Sequence, residues 1–572
     1  MTDFLIVGAG SAGCVLANRL SGGGADVLLV EAGRDTPPDA TPDDIQDLYP
    51  RSYYNDAYMW RGLKADQNAD GSGRKTAFPQ ARVMGGGSSL MGMIALRGLP
   101  GDYDGWVDAG ATGWGWKDVL PYFRRLEADR DFGGPLHGTD GPVTIRRHHE
   151  RDIPPFCQAV GEAAARHGWP AVDDMNGDFS DGYCRLPLSG TQALRVSAAS
   201  AYLDARTRAR PNLRILADTT VERLIFEGSR CAGVEAIQDG RRVQLRARHV
   251  VVSGGAIHSP ALLLRSGIGP EEDLRRLGIE PVADRAGVGA NLQNHPVVYL
   301  ATHVVKGARQ PPGLRPQFNT ALRFTAGSEP GLSSDALMLV VNKSSWHGVG
   351  ASVAGLGVTL VQPCSRGRVS LSSADPRALP DVRFRMLTDE RDYERMVDGL
   401  ALALEFMQDD AVRPLRHEVF AAGYSRVVRH LNQPGPANVA ASRLLARLLD
   451  GPDAVRRALI KRGIAAGEVN ETRMREQSWL RATVRNRSFG TYHPAGTCRI
   501  GPTDDPSAVV DPACAVHGVS GLSVVDASVM PNVVRGNTNI PVIMIAERAS
   551  DLLLEARGPR RAPAEAVSRP VP

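Results

Sequence analysis

The chain lacks the long apolar runs and paired cysteines that mark membrane and disulfide-rich proteins. No apolar run reaches the roughly 18 residues of a membrane-spanning helix, and no signal peptide precedes the apolar segment that starts at Asp3. The seven cysteines are odd in number and form no CxxC pair, which disfavours a disulfide framework and a zinc site. We therefore expect mostly buried thiols in a reducing compartment, and a cytoplasmic protein.

Charge is also nearly balanced, and repeats are absent. A net charge of +4 over 572 residues gives no case for nucleic-acid binding, since the arginines are scattered. No His, Cys, Asp or Glu cluster has metal-ligand spacing, so no metal is expected. No GxSxG elbow occurs, so Ser88 and Ser89 are interpreted as backbone and phosphate contacts rather than nucleophiles. The composition is that of a soluble globular protein, and the length predicts two domains or one interleaved pair.

A nucleotide-binding pattern opens the chain. An apolar strand, 3–7, runs into a glycine turn, 8–13, and a helical segment, 14–20, followed by a second strand that ends at Glu31. Glycines at positions 8, 10 and 13 let a pyrophosphate approach the helix N-terminus, and Glu31 can accept a hydrogen bond from a ribose hydroxyl. This unit alone does not separate NAD from the ADP half of FAD.

A second glycine-rich segment, 82–93, lies between apolar flanks. Its three consecutive glycines and two serines are read as a turn that closely contacts a ligand, in preference to a flexible loop.

A histidine in a Pro/Gly-rich turn is the candidate base. His493 has an ordinary pKa of about 6.5, which suits proton transfer near neutrality. Asn537 follows 44 residues later, just before a predicted helix, 540–554, that Thr538 or Asn539 caps and Pro541 starts. The partial positive charge of a helix N-terminus stabilises an anion that develops in front of it.

The other predicted elements are less informative about function. Strands are predicted at 211–216, 220–226, 243–252, 358–362, 367–371 and 522–526, and helices at 156–167, 389–407 and 439–449. For the Arg-rich helical segment 442–462, ordinary surface packing is favoured over contact with a membrane or a second subunit. The tail 558–572 is predicted to be disordered.

Five separated motifs resemble the glucose-methanol-choline (GMC) family of flavoprotein oxidoreductases. They cover residues 82–93, 103–106, 113–123, 253–270 and 284–296. The resemblance implies an α/β (α+β overall) fold, with a Rossmann-like FAD-binding domain and an interleaved substrate domain of antiparallel sheet plus helices. We expect the first domain to comprise 1–150, 202–296 and 481–557, and the second 151–201 and 297–480.

The resemblance also implies functional residues. His493 falls on the catalytic histidine of the family, and Asn537 on its partner position, which is His or Asn in different members. The expected contacts to non-covalently bound FAD come from these residues: Gly8, Gly10, Ser11, Ala12, Gly13, Glu31, Ala32, Arg82, Gly85, Gly86, Ser89, Met91, Val221, Gly254, Asp526, Ala527, Asn537, Thr538 and Pro541.

Two positions depart from the family pattern. Met91 stands where the family usually has Asn, so a polar contact to the cofactor is lost or supplied by a neighbour. Leu90 stands where some members carry a histidine bonded to the flavin, so FAD is expected to be dissociable. The remaining candidates, His148, His149, His258 and His295, are interpreted as structural or surface histidines.

The implied reaction is oxidation of a primary alcohol, aromatic, furanic or allylic, with oxygen as acceptor and hydrogen peroxide as product. Within the family the chain resembles bacterial hydroxymethylfurfural oxidases and aryl-alcohol oxidases more than choline dehydrogenases. The alternative is a dehydrogenase that uses a quinone or another non-oxygen acceptor, and more remotely a lyase. The sequence leaves open the physiological alcohol, the acceptor and the oligomeric state.

Overall fold

The structure is a computed structural model that describes residues 2–67, 72–327, 331–423, 426–465, 467 and 469–558. The predicted disordered tail lies outside the described residues from position 559 onward. All seven cysteines carry free thiols, and six of them are buried. Among the described residues, no helix has the length and apolarity needed to cross a bilayer.

The first sheet has seven strands and carries the opening glycine turn. Its parallel part contains Leu213–Leu216, Val27–Val30, Thr2–Val7, Arg241–Val252 and Leu522–Val524. The long strand Arg241–Val252 also pairs antiparallel with Arg230–Gln238, which pairs with Thr219–Glu227. Parallel strands buried on both faces are continuously apolar, as Val27–Val30 is. This sheet confirms the predicted Rossmann-like architecture.

The second sheet has eight strands and is almost wholly antiparallel. Seven follow in the order Arg416–Ala421, Pro296–Val304, Val353–Leu360, Ala336–Val341, Phe318–Phe324, Gly182–Arg185 and Ala171–Val172, and Phe489–Gly490 pairs with Pro296–Val304. Only the last pair of the row is parallel. One face packs against the 19-residue helix Glu390–Gln408. The domain boundaries given above stay a prediction, with the two sheets as their supporting frame.

Three small sheets complete the β structure. They contain Lys64–Asp66, Lys75–Ala77, Arg368–Ser370 and Asp381–Arg383; Glu127–Asp129, Val143–Arg146 and Leu188–Ser189; and Ile268–Gly269 with Ala283–Asp284. The remaining α-helices are Ser11–Gly22, Asp43–Gln46, Pro100–Asp108, Trp116–Leu126, Pro155–Arg166, Ala198–Tyr202, Ala205–Arg208, Gly255–Arg265, Glu271–Arg276, Gly348–Ala351, Arg426–Asn432, Pro436–Leu449, Asp453–Leu459, Glu471–Met474, Gln477–Arg487 and Asn539–Arg557.

Two predicted helices differ from the structure. The C-terminal helix is Asn539–Arg557, so Pro541 lies inside the first turn, where its missing N–H breaks no helical hydrogen bond. Thr538 occupies the N-cap position without a side-chain capping bond. The Arg-rich segment is not one helix, because Asp450, Gly451 and Pro452 separate Pro436–Leu449 from Asp453–Leu459, and a π-helix, Ile460–Ile464, follows.

Candidate active site

The opening glycine turn is built for close backbone packing. Gly8 has φ +99°, and a Cβ there would lie 2.6 Å from the carbonyl oxygen of Ser253. A Cβ at Gly13 would lie 1.9 Å from the carbonyl oxygen of Gly8, so the helix Ser11–Gly22 sits on the strand only with glycine there. Gly10, the N-cap of that helix, has open space where its Cβ would be. The helix N-terminus thus faces a gap suited to a phosphate, beside Ser11 and Ala12.

The second glycine segment lies directly on this turn. The Gly85 N–H donates to the carbonyl oxygen of Ala9 at 2.7 Å. Gly85 and Gly86 both have positive φ, and a Cβ at Gly86 would lie 2.8 Å from the Cα of Gly10. The Ser89 hydroxyl donates to the carbonyl oxygen of Met84 at 2.8 Å and so holds the turn closed.

Glu31 is buried at the end of its strand. Its two carboxylate oxygens accept the N–H groups of Ala9 and Gly33, both at 2.8 Å. Burial raises the pKa of this carboxyl, which those hydrogen bonds oppose. The neighbouring carbonyl of Ala32 accepts from Arg82 Nε at 2.9 Å, so the two motifs meet here as well.

Asp526 joins the first sheet to the site from the other side. Its carboxylate accepts from the Gly255 N–H at 2.8 Å and from the Ser259 hydroxyl at 2.5 Å. Burial raises its pKa. The Ala527 carbonyl accepts from the Gly496 N–H at 3.1 Å, which connects this corner to the histidine turn. Of the other predicted contacts, Gly254 caps the helix Gly255–Arg265, and Val221 lies on the strand Thr219–Glu227.

The predicted base and its partner meet. His493 Nε2 is 3.1 Å from Asn537 Nδ2, although the two residues come from separate loops. Because an amide nitrogen donates, Nε2 is the hydrogen-bond acceptor and Nδ1 carries the proton. His493 Nδ1 is 3.0 Å from the hydroxyl oxygen of Thr491 and 3.0 Å from His295 Nδ1. The Nε2 lone pair that a base needs therefore accepts the Asn537 N–H.

Burial sets the protonation state of this base. It lowers the pKa of His493 to about 4, so the imidazole is neutral at physiological pH.

Tyr492, the preceding residue, has a left-handed backbone with φ +65°. Its hydroxyl is 2.8 Å from that of Tyr53, and its ring stacks on Phe78 at 5.3 Å. A strained backbone position held by neighbouring contacts is a recurring feature of functional turns.

Sequence reasoning did not predict the contact of His295 with His493. His295 is fully buried, and burial holds its pKa well below the ordinary value. Its place in the motif 284–296 was the available signal. Of the other histidines, His258 stacks on Trp60 at 4.5 Å, while His148 is buried with a pKa lowered to about 4. Neither they nor the exposed His149 line the cavity that contains His493.

This cavity has a volume of about 420 Å³ and extends from the opening glycine turn to the second sheet. Ser11, Met91, Thr538 and Asn539 line it at the glycine-turn end, where the Ser11 hydroxyl donates to Asn539 Oδ1 at 2.6 Å. Aromatic and aliphatic side chains of the second sheet line the other end: Val297, Tyr299, Phe318, Leu337, Leu339, Phe420 and Phe489. Among the described residues, no Asp, Glu, Lys or Arg lines the cavity. It suits a neutral, flat, apolar ligand.

A second buried polar cluster lies outside the cavity. Glu127, Asp129 and His137 offer ligand atoms within 4.8 Å of one another, a grouping that sequence spacing did not indicate. Arg97 binds Glu127 and Arg147 binds Asp129, so guanidinium groups already neutralise the carboxylates. Burial opposes protonation of His137, yet its contacts with Asp129, Asp174 and Glu127 prevail and raise its pKa to about 10. The cluster is a structural ion network with a protonated histidine.

Comparison with known proteins agrees with this architecture. Two family models, both described as GMC oxidoreductase, match residues 2–297 and 363–546. The chain is 38% identical to the 5-(hydroxymethyl)furfural oxidase of Methylovorus sp. (strain MP688), over 96% of this chain and 98% of that protein. It is 33% identical to the oxygen-dependent choline dehydrogenase of Vibrio vulnificus (strain YJ016), with 96% and 94% covered. The solved structure of pyridoxine 4-oxidase from Mesorbium loti matches with a TM-score of 0.80 and 28% identity, covering 96% of this chain and 99% of that one.

Proposed function

Because the chain belongs to the GMC oxidoreductase family, we propose that it uses FAD to oxidise a primary alcohol to the aldehyde, with oxygen as acceptor and hydrogen peroxide as product. The observation that carries this proposal is the pairing of His493 Nε2 with Asn537 Nδ2, 3.1 Å apart at the wall of the cavity. An alcohol oxygen that replaces their mutual hydrogen bond meets a proton acceptor and a hydrogen-bond donor at once.

The residues present fit FAD. The open space at Gly10 leaves room for a pyrophosphate at the N-terminus of the helix Ser11–Gly22. Gly86 packs against Gly10 and would bring the second glycine segment close to that group. Glu31 retains lone pairs for a ribose hydroxyl, since each of its oxygens accepts a single backbone N–H. The cavity leads from Ser11 to His493 and would take the flavin ring. Bound there, FAD would supply the hydride acceptor.

The chain's own groups handle the proton. Neutral His493 accepts the hydroxyl proton at Nε2, and the Asn537 amide stabilises the developing alkoxide oxygen by donating to it. The resulting imidazolium donates from Nδ1 to Thr491 or His295, both 3.0 Å away. The N-terminus of the helix Asn539–Arg557 adds partial positive charge at the same wall.

The cavity wall supports a neutral aromatic, furanic or allylic alcohol. Flat rings pack well against Tyr299, Phe318 and Phe489, and an uncharged wall gives a quaternary ammonium group no carboxylate partner. This favours the hydroxymethylfurfural oxidase relative over the choline dehydrogenase relative as a guide to substrate.

The test is anaerobic flavin bleaching by a panel of benzylic, furanic and aliphatic primary alcohols. We expect the benzylic and furanic alcohols to bleach fastest, and His493→Ala to slow bleaching by about two to four orders of magnitude with FAD content unchanged. Bleaching by His493→Ala at nearly the wild-type rate would refute the assignment. An aldehyde product that forms together with bleaching also excludes the lyase alternative.

The acceptor is tested separately, because the choline dehydrogenase relative keeps the second candidate open. A dehydrogenase would reduce a quinone or a dye rapidly and form little peroxide. Peroxide yield and dye reduction, measured with one alcohol, distinguish the two.

The side chain of Leu90 supports non-covalent binding of the cofactor. This side chain is fully buried and lines the cavity, where it offers hydrocarbon and no nucleophile. We expect all flavin to enter the supernatant after acid precipitation of the holoprotein, and flavin retained in the pellet would contradict non-covalent binding.

A further inference from the structure

Exposed apolar side chains concentrate on one part of the surface. Of the six large hydrophobic residues that are exposed in the described chain, four lie between positions 427 and 462: Val427, Leu444, Leu448 and Val455. Leu444 is the most open of them, at 60%. We call residues 427–462 the cap segment; it contains most of the helix Arg426–Asn432, the helices Pro436–Leu449 and Asp453–Leu459, and the first part of the π-helix.

The cap segment also carries an excess of positive charge. It has seven basic residues, Arg429, Arg443, Arg447, Arg456, Arg457, Lys461 and Arg462, against the acidic Asp450 and Asp453. Its net charge of +5 exceeds the +4 of the entire chain. Arg456 and Arg457 are held by Glu418. The other five basic residues are exposed and have no ion-pair partner within the described ranges.

The two kinds of side chain lie side by side. Leu444 and Leu448 are four positions apart on the helix Pro436–Leu449, so they form one apolar row. Arg443 and Arg447 directly precede these leucines in the sequence, so they form a basic row beside the apolar one. The opposite side of the helix is already buried through Leu449, which packs with Ile460 in the core beneath. The exposed row is therefore not needed for packing of the chain itself.

The cap segment is also a wall of the cavity. Leu431 and Asn432 line the cavity from the helix Arg426–Asn432, while Val427 on the same helix is 44% exposed. One layer of helix thus separates the cavity from the exposed Val427, and the helix Pro436–Leu449 with its leucine and arginine rows packs against that layer.

We propose that the cap segment docks on an anionic phospholipid surface. The leucine row enters the interface between headgroups and acyl chains, and the arginine row binds lipid phosphates, the arrangement by which interfacial helices attach to membranes without spanning them. The position of the cap over the cavity then gives apolar alcohols dissolved in the bilayer a short route inward, a consequence that rests on the proposed function. Docking itself does not depend on that function.

The test is flotation of the FAD-loaded full chain with phospholipid vesicles. We expect binding to phosphatidylcholine vesicles that contain roughly 30% phosphatidylglycerol, little binding to pure phosphatidylcholine, and release at high salt. The variants Leu444→Ser/Leu448→Ser and Arg443→Glu/Arg447→Glu should each reduce the bound fraction at least tenfold. Their FAD content, thermal unfolding and turnover of a water-soluble alcohol should match the wild type.

Matched controls lie elsewhere on the surface. Val107→Ser/Leu194→Ser removes two exposed hydrophobic side chains, and Arg206→Glu/Arg241→Glu makes the same charge change outside the cap. Both should bind vesicles like the wild type. The proposal is overturned if the wild type does not float, if it binds neutral and anionic vesicles equally, or if the controls lose as much binding as the cap variants. It is also overturned if light scattering shows a dimer that the cap variants dissociate while vesicles are not bound, because the surface would then contact a second copy.

Discussion

The two large sheets contribute to the site through different kinds of atoms. Around the first sheet the site consists mostly of backbone: glycines that allow close approach, and N–H and C=O groups at the ends of strands and helices. Along the second sheet it consists of side chains that shape an apolar wall. Backbone sites demand particular residues at fixed spacing, whereas an apolar wall accepts many combinations of similar volume. Under the proposed function, cofactor binding is thus fixed by local sequence, while substrate choice is distributed over distant strands.

Substitution of Gly13 should have the largest effect, because it disrupts the backbone contacts around the first sheet. In Gly13→Ala the Cβ would meet the Gly8 carbonyl oxygen at 1.9 Å, so helix and strand must separate. We expect no FAD-loaded protein, measured as flavin absorbance per polypeptide. Gly10→Ala has open space and should unfold as apoprotein at the wild-type temperature, yet bind FAD more weakly because the methyl group occupies the phosphate gap. Gly105→Ala, in a helix and equally open, is the neutral control. Normal flavin content in Gly13→Ala would contradict the comparison.

The pH dependence of kcat/KM tests the role of the His493 side chain. Burial lowers the pKa of His493 to about 4, and only the neutral form accepts a proton. The value of kcat/KM should therefore stay level from about pH 9 to about pH 5 and fall about tenfold per unit below about pH 4. Stopped-flow flavin reduction with a non-ionising alcohol measures it. A plateau that begins only above about pH 6.5 would show that the base is not this buried imidazole.

Removal of the groups at Nδ1 should have a smaller effect. Thr491→Val and His295→Asn each take away one partner of His493 Nδ1, and one hydrogen bond is worth about 1 kcal/mol, roughly a fivefold rate change. We expect kcat to fall with KM unchanged, and the double variant to fall by more than the product because Nδ1–H is left buried without an acceptor. Purely structural roles would instead lower the unfolding temperature and leave kcat per bound flavin intact.

The last effect is on stability at alkaline pH and leaves catalysis unchanged. The pKa of His137 in the folded protein, about 10, is above its ordinary 6.5, so the protonated ring stabilises the fold fully below about pH 6.5, and this contribution is lost as the pH rises through 10. Urea unfolding at a series of pH values should show a gap between wild type and His137→Gln that closes toward alkaline pH. A gap that is constant with pH would mean that the network does not depend on the proton.

Sequence reasoning reached the parts of the fold whose signals are local. The order of strand, glycines, helix and Glu31 predicts the first sheet, and the family resemblance placed His493 with Asn537. It did not reach His295, because contacts between segments almost 200 residues apart, such as the pairing of Pro296–Val304 with Phe489–Gly490, bring that ring to the histidine turn. Nor did it find the ion network around His137, whose members are scattered between Arg97 and Asp174. The C-terminal helix starts one residue before the predicted position, with Thr538 at the N-cap and the Asn539 side chain bonded to Ser11.

The left-handed backbone at Tyr492 has a consequence for redesign. Its ring forms part of the cavity wall while its carbonyl leads straight into the base, so a smaller residue there would enlarge the cavity and at the same time release the turn that aims the imidazole. A variant for bulkier alcohols is better sought at Phe318 or Leu339, which line the cavity from paired strands of the second sheet and are not part of that turn.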